Sequence, residues 1–434
     1  MIPRSSKSIA PEGAPTRLKE PAPKGVVGRP GLAPNRTRYR AGTGNDTLAS
    51  VPHSPVPMPH AISRRAEQHA TRAAFFLPGF AVAAWAPIVP FAKARAQLDE
   101  AGLGLVLLCL GAGSLLAMPL AGALTARFGC RRLLVAAVLL ICATLPALAL
   151  AANPLALGAA LFLFGAGVGG MDCTMNMQAV AVERDSGRAM MSGFHAFYSV
   201  GGLAGAAAVT LLLARGTPPP VACALAVAAI LALMLASVRH WRGDRIAQDG
   251  PAFARPRGLV LAIGLLCFVM FLAEGAMLDW SAVFLTEVDR VAAADAGVGY
   301  VVFSLAMTLT RLIGDRGVQA LGRTRAVVAG ALLACAGFVL VATVHAAPAA
   351  LAGFAAIGVG CANIVPVMFS LAGRQTVMPE SHAIPAVSTL GYAGVLAGPA
   401  LIGFVAHGTS LVFAFACLAA LLLGVAVAMR WLRI

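Results

Sequence analysis

From Ala73 to the C-terminus, apolar segments long enough to cross a bilayer follow one another with only short breaks. A helix needs about 20 mostly apolar residues to traverse the hydrocarbon, and lipid offers unsatisfied backbone groups no partner. Twelve spans can be drawn, at about residues 73–92, 101–124, 132–152, 155–180, 190–214, 219–238, 258–285, 297–314, 326–345, 348–372, 383–406 and 410–430. The predicted fold class is an all-α membrane protein of twelve transmembrane helices. Only 12% of residues are charged, against roughly 25% in soluble domains, so most of the chain is read as solvated by lipid.

The net charge of +15 is unevenly placed, because residues 1–72 hold 12 basic and 4 acidic residues. Residues 1–70 are rich in Pro, Gly, Ser and Arg and cannot bury enough apolar surface to offset ordering entropy. They are predicted to be a disordered tail without a signal peptide, and Met58 offers an alternative start of translation. In and beside the loops after even-numbered spans, together with the C-terminus, seventeen Lys or Arg residues face four in the loops after odd-numbered spans. Positive residues concentrate on the cytoplasmic side, which predicts both termini there. Topology rather than nucleic-acid binding accounts for this charge. The nine cysteines lie singly in or beside apolar segments, with no CxxC pair or His clustering, so neither a metal site nor a disulfide is expected.

The chain also repeats itself weakly, as transporters commonly do. Gly201-Gly202-Leu203-Ala204-Gly205-Ala206-Ala207 matches Gly394-Val395-Leu396-Ala397-Gly398-Pro399-Ala400 at an offset of 193, and Gly167–Asp172 matches Gly358–Asn363 at an offset of 191. Gly122–Arg132 pairs similarly with Gly314–Arg325. Two pseudo-symmetric six-helix halves are predicted, at 71–238 and 258–434, joined by a polar cytoplasmic linker at 239–257.

With twelve spans, two matched halves and a Gly-x-x-x-x-Arg-x-Gly-x-Arg-Arg loop at 122–132, residues 73–430 resemble the major facilitator superfamily. The family's loop signature has Asp before the first Arg, where this chain has Ala126; in the second half Asp315 can supply the carboxylate. The resemblance implies a gating set at these loops: Arg127, Asp315 and Arg316, with Glu183 as partner of a loop arginine. Met171-Asp172-x-x-Met175-Asn176, Val182-Glu183-Arg184, Ser192-Gly193-Phe194-His195-Ala196 and Glu274-Gly275-Ala276-Met277-x-Asp279-Trp280-Ser281 look like a bacterial subgroup near the fucose-permease-like sugar transporters. That symporter type often carries an acid on its first helix, and this first helix has none.

Charges inside spanning helices are costly and face a bundle interior or water-filled cavity, so Asp172 is a functional candidate. Four residues turn about 400° and rise about 6 Å, which puts Asp172 and Asn176 on one face; Glu183 returns to that direction about 16 Å further on. His195, which titrates near neutrality, is a candidate for moving a proton between Asp172 and the cytoplasm. Glu274 and Asp279, five residues apart, point about 140° from each other and cannot serve one pocket. Glu274 is assigned to the cavity and Asp279 to its rim. Asn363 repeats Asp172 as a neutral amide. The expected proton-coupling residues are thus Asp172, Glu274 and His195, and the expected substrate-binding residues are Asn176, Asn363 and Tyr392. Each polar residue has a bland alternative, a hydrogen bond within its own helix or bundle.

No Lys lies in any span, and Arg311 is expected to snorkel to the cytoplasmic face. The absence of a fixed cation favours a neutral polar or cationic solute over an anion. The function expected is secondary active, proton-coupled transport of a small solute such as a sugar across the bacterial inner membrane. The partners are the solute, a proton or cation and the bilayer; a monomer without cofactor is expected. Two alternatives stay open: a proton-driven exporter of amphipathic cations, and a non-transporting membrane sensor or assembly factor. Enzyme activity is not expected, since no nucleophile–base pair or phosphate loop is apparent.

Overall fold

The computed structural model describes residues 60–98, 100–243, 255–289, 291 and 298–432. Residues 1–59, including Met58, and most of the 239–257 linker lie outside the described residues. Among the described residues, twelve helices are long and apolar enough to span a membrane: α1 (Arg64–Arg95), α2 (Leu105–Phe128), α3 (Cys130–Leu150), α4 (Pro154–Ser186), α5 (Met191–Ala214), α6 (Pro219–His240), α7 (Gly258–Glu287), α8 (Val298–Leu321), α9 (Arg323–Thr343), α10 (Ala347–Ala372), α11 (Glu380–Gly408) and α12 (Leu411–Trp431). The end of the bundle that carries the loops after even-numbered helices is called the basic end below.

Local chemistry sets several boundaries. Asn153 Oδ1 accepts from the Ala156 N–H at 2.9 Å to start α4, and Ser410 Oγ accepts from the Phe413 N–H at 3.1 Å to start α12. Gly187, in the left-handed region at φ 67°, closes α4. The structure departs from the sequence reading at the start of α1. Helix begins at His60, so residues 60–70, expected in the tail, are ordered. This stretch is too polar to read as a span, and tertiary bonds hold it: Gln68 donates to Ser186, Gln178 to Thr71, and the Trp241 indole N–H to the Ala70 carbonyl. Trp241 is fully buried, and the linker's first residues therefore belong to the first half. Burial alone would lower the pKa of Arg242, but hydrogen bonds to Glu67 and Asp185 outweigh it and raise it.

Lipid gives apolar side chains no incentive to leave it, so helix association depends on close packing and interhelical hydrogen bonds. Glycine supplies the approach. A Cβ on Gly165 would strike the Leu110 carbonyl on α2, and one on Gly201 the Phe76 carbonyl on α1. The same contacts recur in the second half, Gly358 against Phe303 and Gly394 against Phe268. Gly129 and Gly322, at φ 84° and 80° with ψ 158° and 154°, open α3 and α9 in a conformation confined to glycine, again 193 residues apart. The repeat is thus carried by the backbone as well as by the letters. Gly169 lies 2.6 Å, measured from an added Cβ, from the Ser114 α-carbon. Replacing Gly169 with Leu is expected to cost about 3 kcal/mol or more through overpacking. A lower midpoint of thermal unfolding in detergent would register it, and an unchanged midpoint would show that α2 and α4 can separate freely.

The repeat-related helices α4 and α10 are the most enclosed of the twelve, with 61% and 78% of their apolar windows buried. Polar groups on them therefore face protein rather than lipid. Leu105, Leu116, Leu305 and Phe404, on other helices, face outward as lipid-solvated residues do. Helix α1 tightens into one 3-10 turn at Ala86–Ile88, where Pro87 lies. Helix α10 is interrupted, running as helix over Ala347–Cys361 and again over Ile364–Ala372.

Candidate functional site

The interruption of α10 builds one side of the central site. Pro366 has no N–H to give to the carbonyl four residues earlier, that of Ala362. Arg311 Nε on α8 donates to this carbonyl at 3.0 Å instead. The guanidinium also donates to Glu274 Oε1 on α7 at 3.3 Å and to Ser199 Oγ on α5 at 3.4 Å. One arginine thereby satisfies a proline-freed carbonyl, pairs with a carboxylate and reaches into the opposite half.

This overturns two sequence expectations. Arg311 is only 7% exposed and does not snorkel, and the bundle does contain a fixed cation, balanced by Glu274. The cause is helix length. The apolar run of span eight ends at 314, but α8 continues to Leu321, which places Arg311 about 15 Å from the helix end instead of about 5 Å. Without Arg311 the orientation count is sixteen against four. The argument against anionic solutes loses its premise.

The other side of the site comes from α4 and α11. Asp172 interacts electrostatically with Tyr198 on α5 and Tyr392 on α11, and Tyr198 also interacts with Tyr300 and Arg311. Ser114 on α2, whose hydroxyl donates to the Gly165 carbonyl at 2.8 Å, lies beside Tyr392. Of the chain's four tyrosines, three thus gather around the buried charges. No ion pair holds Asp172 among the described residues. Asn176 Nδ2 donates to the Asp172 carbonyl at 2.9 Å, the helix-internal bond expected of a bland amide, while its Oδ1 is buried and unpartnered. Asn363 Oδ1, at the break in α10, is also buried without a partner. Gly314 leaves the space this amide fills. Sequence reasoning missed Ser114, Tyr198, Ser199 and Tyr300; a tyrosine within a span was the available signal.

At the basic end the halves are joined by charge. Both Asp315 carboxylate oxygens accept from backbone N–H groups in the first turn of α5, Ser192 and Gly193, each at 3.0 Å. An anion there meets free N–H groups and the positive end of the helix dipole. Glu183 is buried, accepts from the Met190 and Met191 N–H groups at 2.8 and 3.0 Å, and receives the Ser370 hydroxyl of α10 at 2.5 Å. Arg323 of α9 lies 3.8 Å from Glu183, and Arg184 pairs with Glu380 of α11 at 2.8 Å.

Of the remaining expected residues, His195 lies within electrostatic reach of Arg311. His195 is sandwiched by Phe75 and Phe369, with ring centroids at 5.1 and 5.8 Å, and its Nε2 is buried without a partner. Arg127 is exposed and stacks over Phe128, and Arg316 is exposed. Asp279 is exposed while Glu274 turns inward to Arg311, as their helical spacing predicts.

A twelve-helix membrane bundle that carries Asp172, Glu274 and Arg311 within its spans has the architecture of a transporter. Residues 73–383 match the family model of the Major Facilitator Superfamily, and the chain belongs to that family. It is 51% identical over 365 residues to an uncharacterised MFS-type transporter of Yersinia pestis, covering 84% of this chain and 95% of that one. Its fold is similar to that of the E. coli fucose:proton symporter FucP, with TM-score 0.73 and 15% identity over 85% of this chain and 99% of that one. The proton:xylose symporter XylE, bound to 6-bromo-6-deoxy-D-glucose, has TM-score 0.69 and 15% identity over 86% of this chain and 96% of that one.

Proposed function

We propose that this transporter is proton-coupled and moves a small polar solute, a sugar or related polyol, across the bacterial inner membrane. The basic end lies in the cytoplasm, and the two halves rock about the central site. The observation that carries this reading is the placement of Asp172 in one half and the Glu274–Arg311 pair in the other, with Tyr198 within electrostatic reach of both Asp172 and Arg311. Asp172, which no ion pair holds among the described residues, takes the transported proton. Glu274 holds Arg311, and Arg311 reports the state of that charge to the opposite half through Ser199. The amide oxygens of Asn176 and Asn363 are acceptors awaiting donors, which solute hydroxyls provide; Tyr392 adds a third polar contact. The two sugar:proton symporters of similar fold support the solute class. His195, within electrostatic reach of Arg311, belongs in this reading to the proton-coupling set with Asp172 and Glu274. Asp315 and Glu183 close that end, and Arg127 and Arg316 act in the opposite state of the cycle.

In proteoliposomes, addition of the correct sugar is expected to drive proton entry, with no entry for Asp172→Asn under the same conditions. Intact sugar-driven proton entry in that variant would remove Asp172 from the coupling role. The lack of an ion-pair partner at Asp172 also favours a second reading, an exporter in which an amphipathic cation and a proton compete for this carboxylate. Release of a preloaded organic cation by an imposed proton gradient, without a response to sugars, would establish it instead.

A further inference from the structure

At the basic end a cavity of about 340 Å³ opens between the halves, lined by Gly187, Arg188 and Ala189 from the α4–α5 junction and by Val318, Gln319, Gly322 and Arg323 from the α8–α9 junction. Gly187 and Gly322 adopt positive φ, and the space in front of each is open. One contact crosses beside it, Gln319 Nε2 donating to the Ala189 carbonyl at 3.2 Å.

The charges around this cavity do not cancel. Arg188 and Arg323 line it, Arg72 interacts electrostatically with Arg188, and Arg374 with Arg323. Against these four guanidiniums stand the carboxylates of Glu183 and Asp315, whose oxygens already accept Ser370, Met190 and Met191 on one and Ser192 and Gly193 on the other. Among the described residues, Arg188 donates to Gln68 Oε1 and Arg323 approaches Glu183 at 3.8 Å. Both therefore retain donors. Guanidinium forks match phosphate oxygens in pairs, and basic pockets between helices at the cytoplasmic face recognise phosphate headgroups.

We propose that this cavity binds a phosphate group, which bridges Arg188 of the first half and Arg323 of the second and holds the basic end closed. The inference rests on the rocking of the halves but not on the identity of the solute or on proton coupling. A phosphate bound across the seam acts as a brake, because the halves cannot separate at this end without one guanidinium leaving it. Two sources share this chemistry, a phospholipid headgroup and a soluble phosphate.

The test uses purified full-length protein and needs no transport assay. In neutral detergent, inorganic phosphate is titrated at constant ionic strength against chloride while thermal unfolding is followed. In parallel, nanodiscs of phosphatidylcholine with and without phosphatidylglycerol are compared. A rise in midpoint with phosphate identifies a soluble anion as ligand, and a rise confined to phosphatidylglycerol discs identifies a headgroup. In either arm R188Q and R323Q are expected to weaken the response at least tenfold in apparent affinity. R323K, which keeps the charge without the fork and preserves the approach to Glu183, is expected to weaken it less. No midpoint change in either arm, or an equal response in the R188Q/R323Q double variant, overturns the proposal.

Discussion

Arg311→Met is expected to abolish coupled transport and to destabilise the folded protein by about 3–5 kcal/mol, the usual consequence of leaving one member of a buried ion pair without its partner. Two groups lose their donor at once, the Glu274 carboxylate and the Ala362 carbonyl that Pro366 leaves free. The double variant Arg311→Met with Glu274→Gln removes the orphaned charge but leaves the carbonyl. It is expected to regain much of the stability while staying inactive. Thermal unfolding in detergent reads the first quantity, and proton entry in proteoliposomes the second. A single variant as stable as the unaltered protein, or a double variant no better than the single, would sink the assignment of Arg311 as a structural counter-ion. A double variant that transports with full coupling would remove the pair from the mechanism.

The second large effect is expected at Asp315. Hydrogen bonds to a charged acceptor contribute about 1.5–3 kcal/mol each, and Asp315→Asn retains one neutral acceptor where two charged ones stood. A net loss of about 2 kcal/mol from the closed basic end corresponds to a shift of roughly 30-fold toward separation of the halves. Spin labels on the α4–α5 and α8–α9 loops should show a longer-distance population that is small in the unaltered protein. An unchanged distance distribution would mean that Glu183 with Ser370 and Arg184 with Glu380 suffice to hold this end. The asymmetry matters, since the first half has Ala126 where the family signature places the acid, leaving Asp315 to cap an opposing helix N-terminus.

The lipid-facing design of the fold was plain in the sequence. Length and apolarity alone mark a span, and a duplicated backbone leaves matched glycines such as Gly201 and Gly394, because only glycine permits the close approach each makes. Asn363 is legible from the repeat that pairs it with Asp172, and Pro366, within span ten, must free a carbonyl. What filled that vacancy was not legible. Apolarity marks where lipid ends rather than where a helix ends, so α8 was drawn short and Arg311 was placed at the surface. The polar first turns of α1 read as tail for the same reason, since Gln68 is held by Ser186, far away in sequence. The grouping of Tyr198, Tyr300 and Tyr392 depends on three helices meeting, which no periodicity along one of them encodes.

The hydrogen bond from Arg311 to Ala362 makes a side chain stand in for a missing peptide N–H. In most helices the ladder is insulated from the chemistry of the side chains around it. Here one rung of α10 is on loan from α8, and the lender is an ion-pair partner of Glu274. Any event that draws the guanidinium away, a proton arriving on Glu274 or a solute competing for it, removes a rung from the backbone of α10 in the same motion. The charge on Glu274 and one backbone carbonyl of α10 thus depend on the same guanidinium.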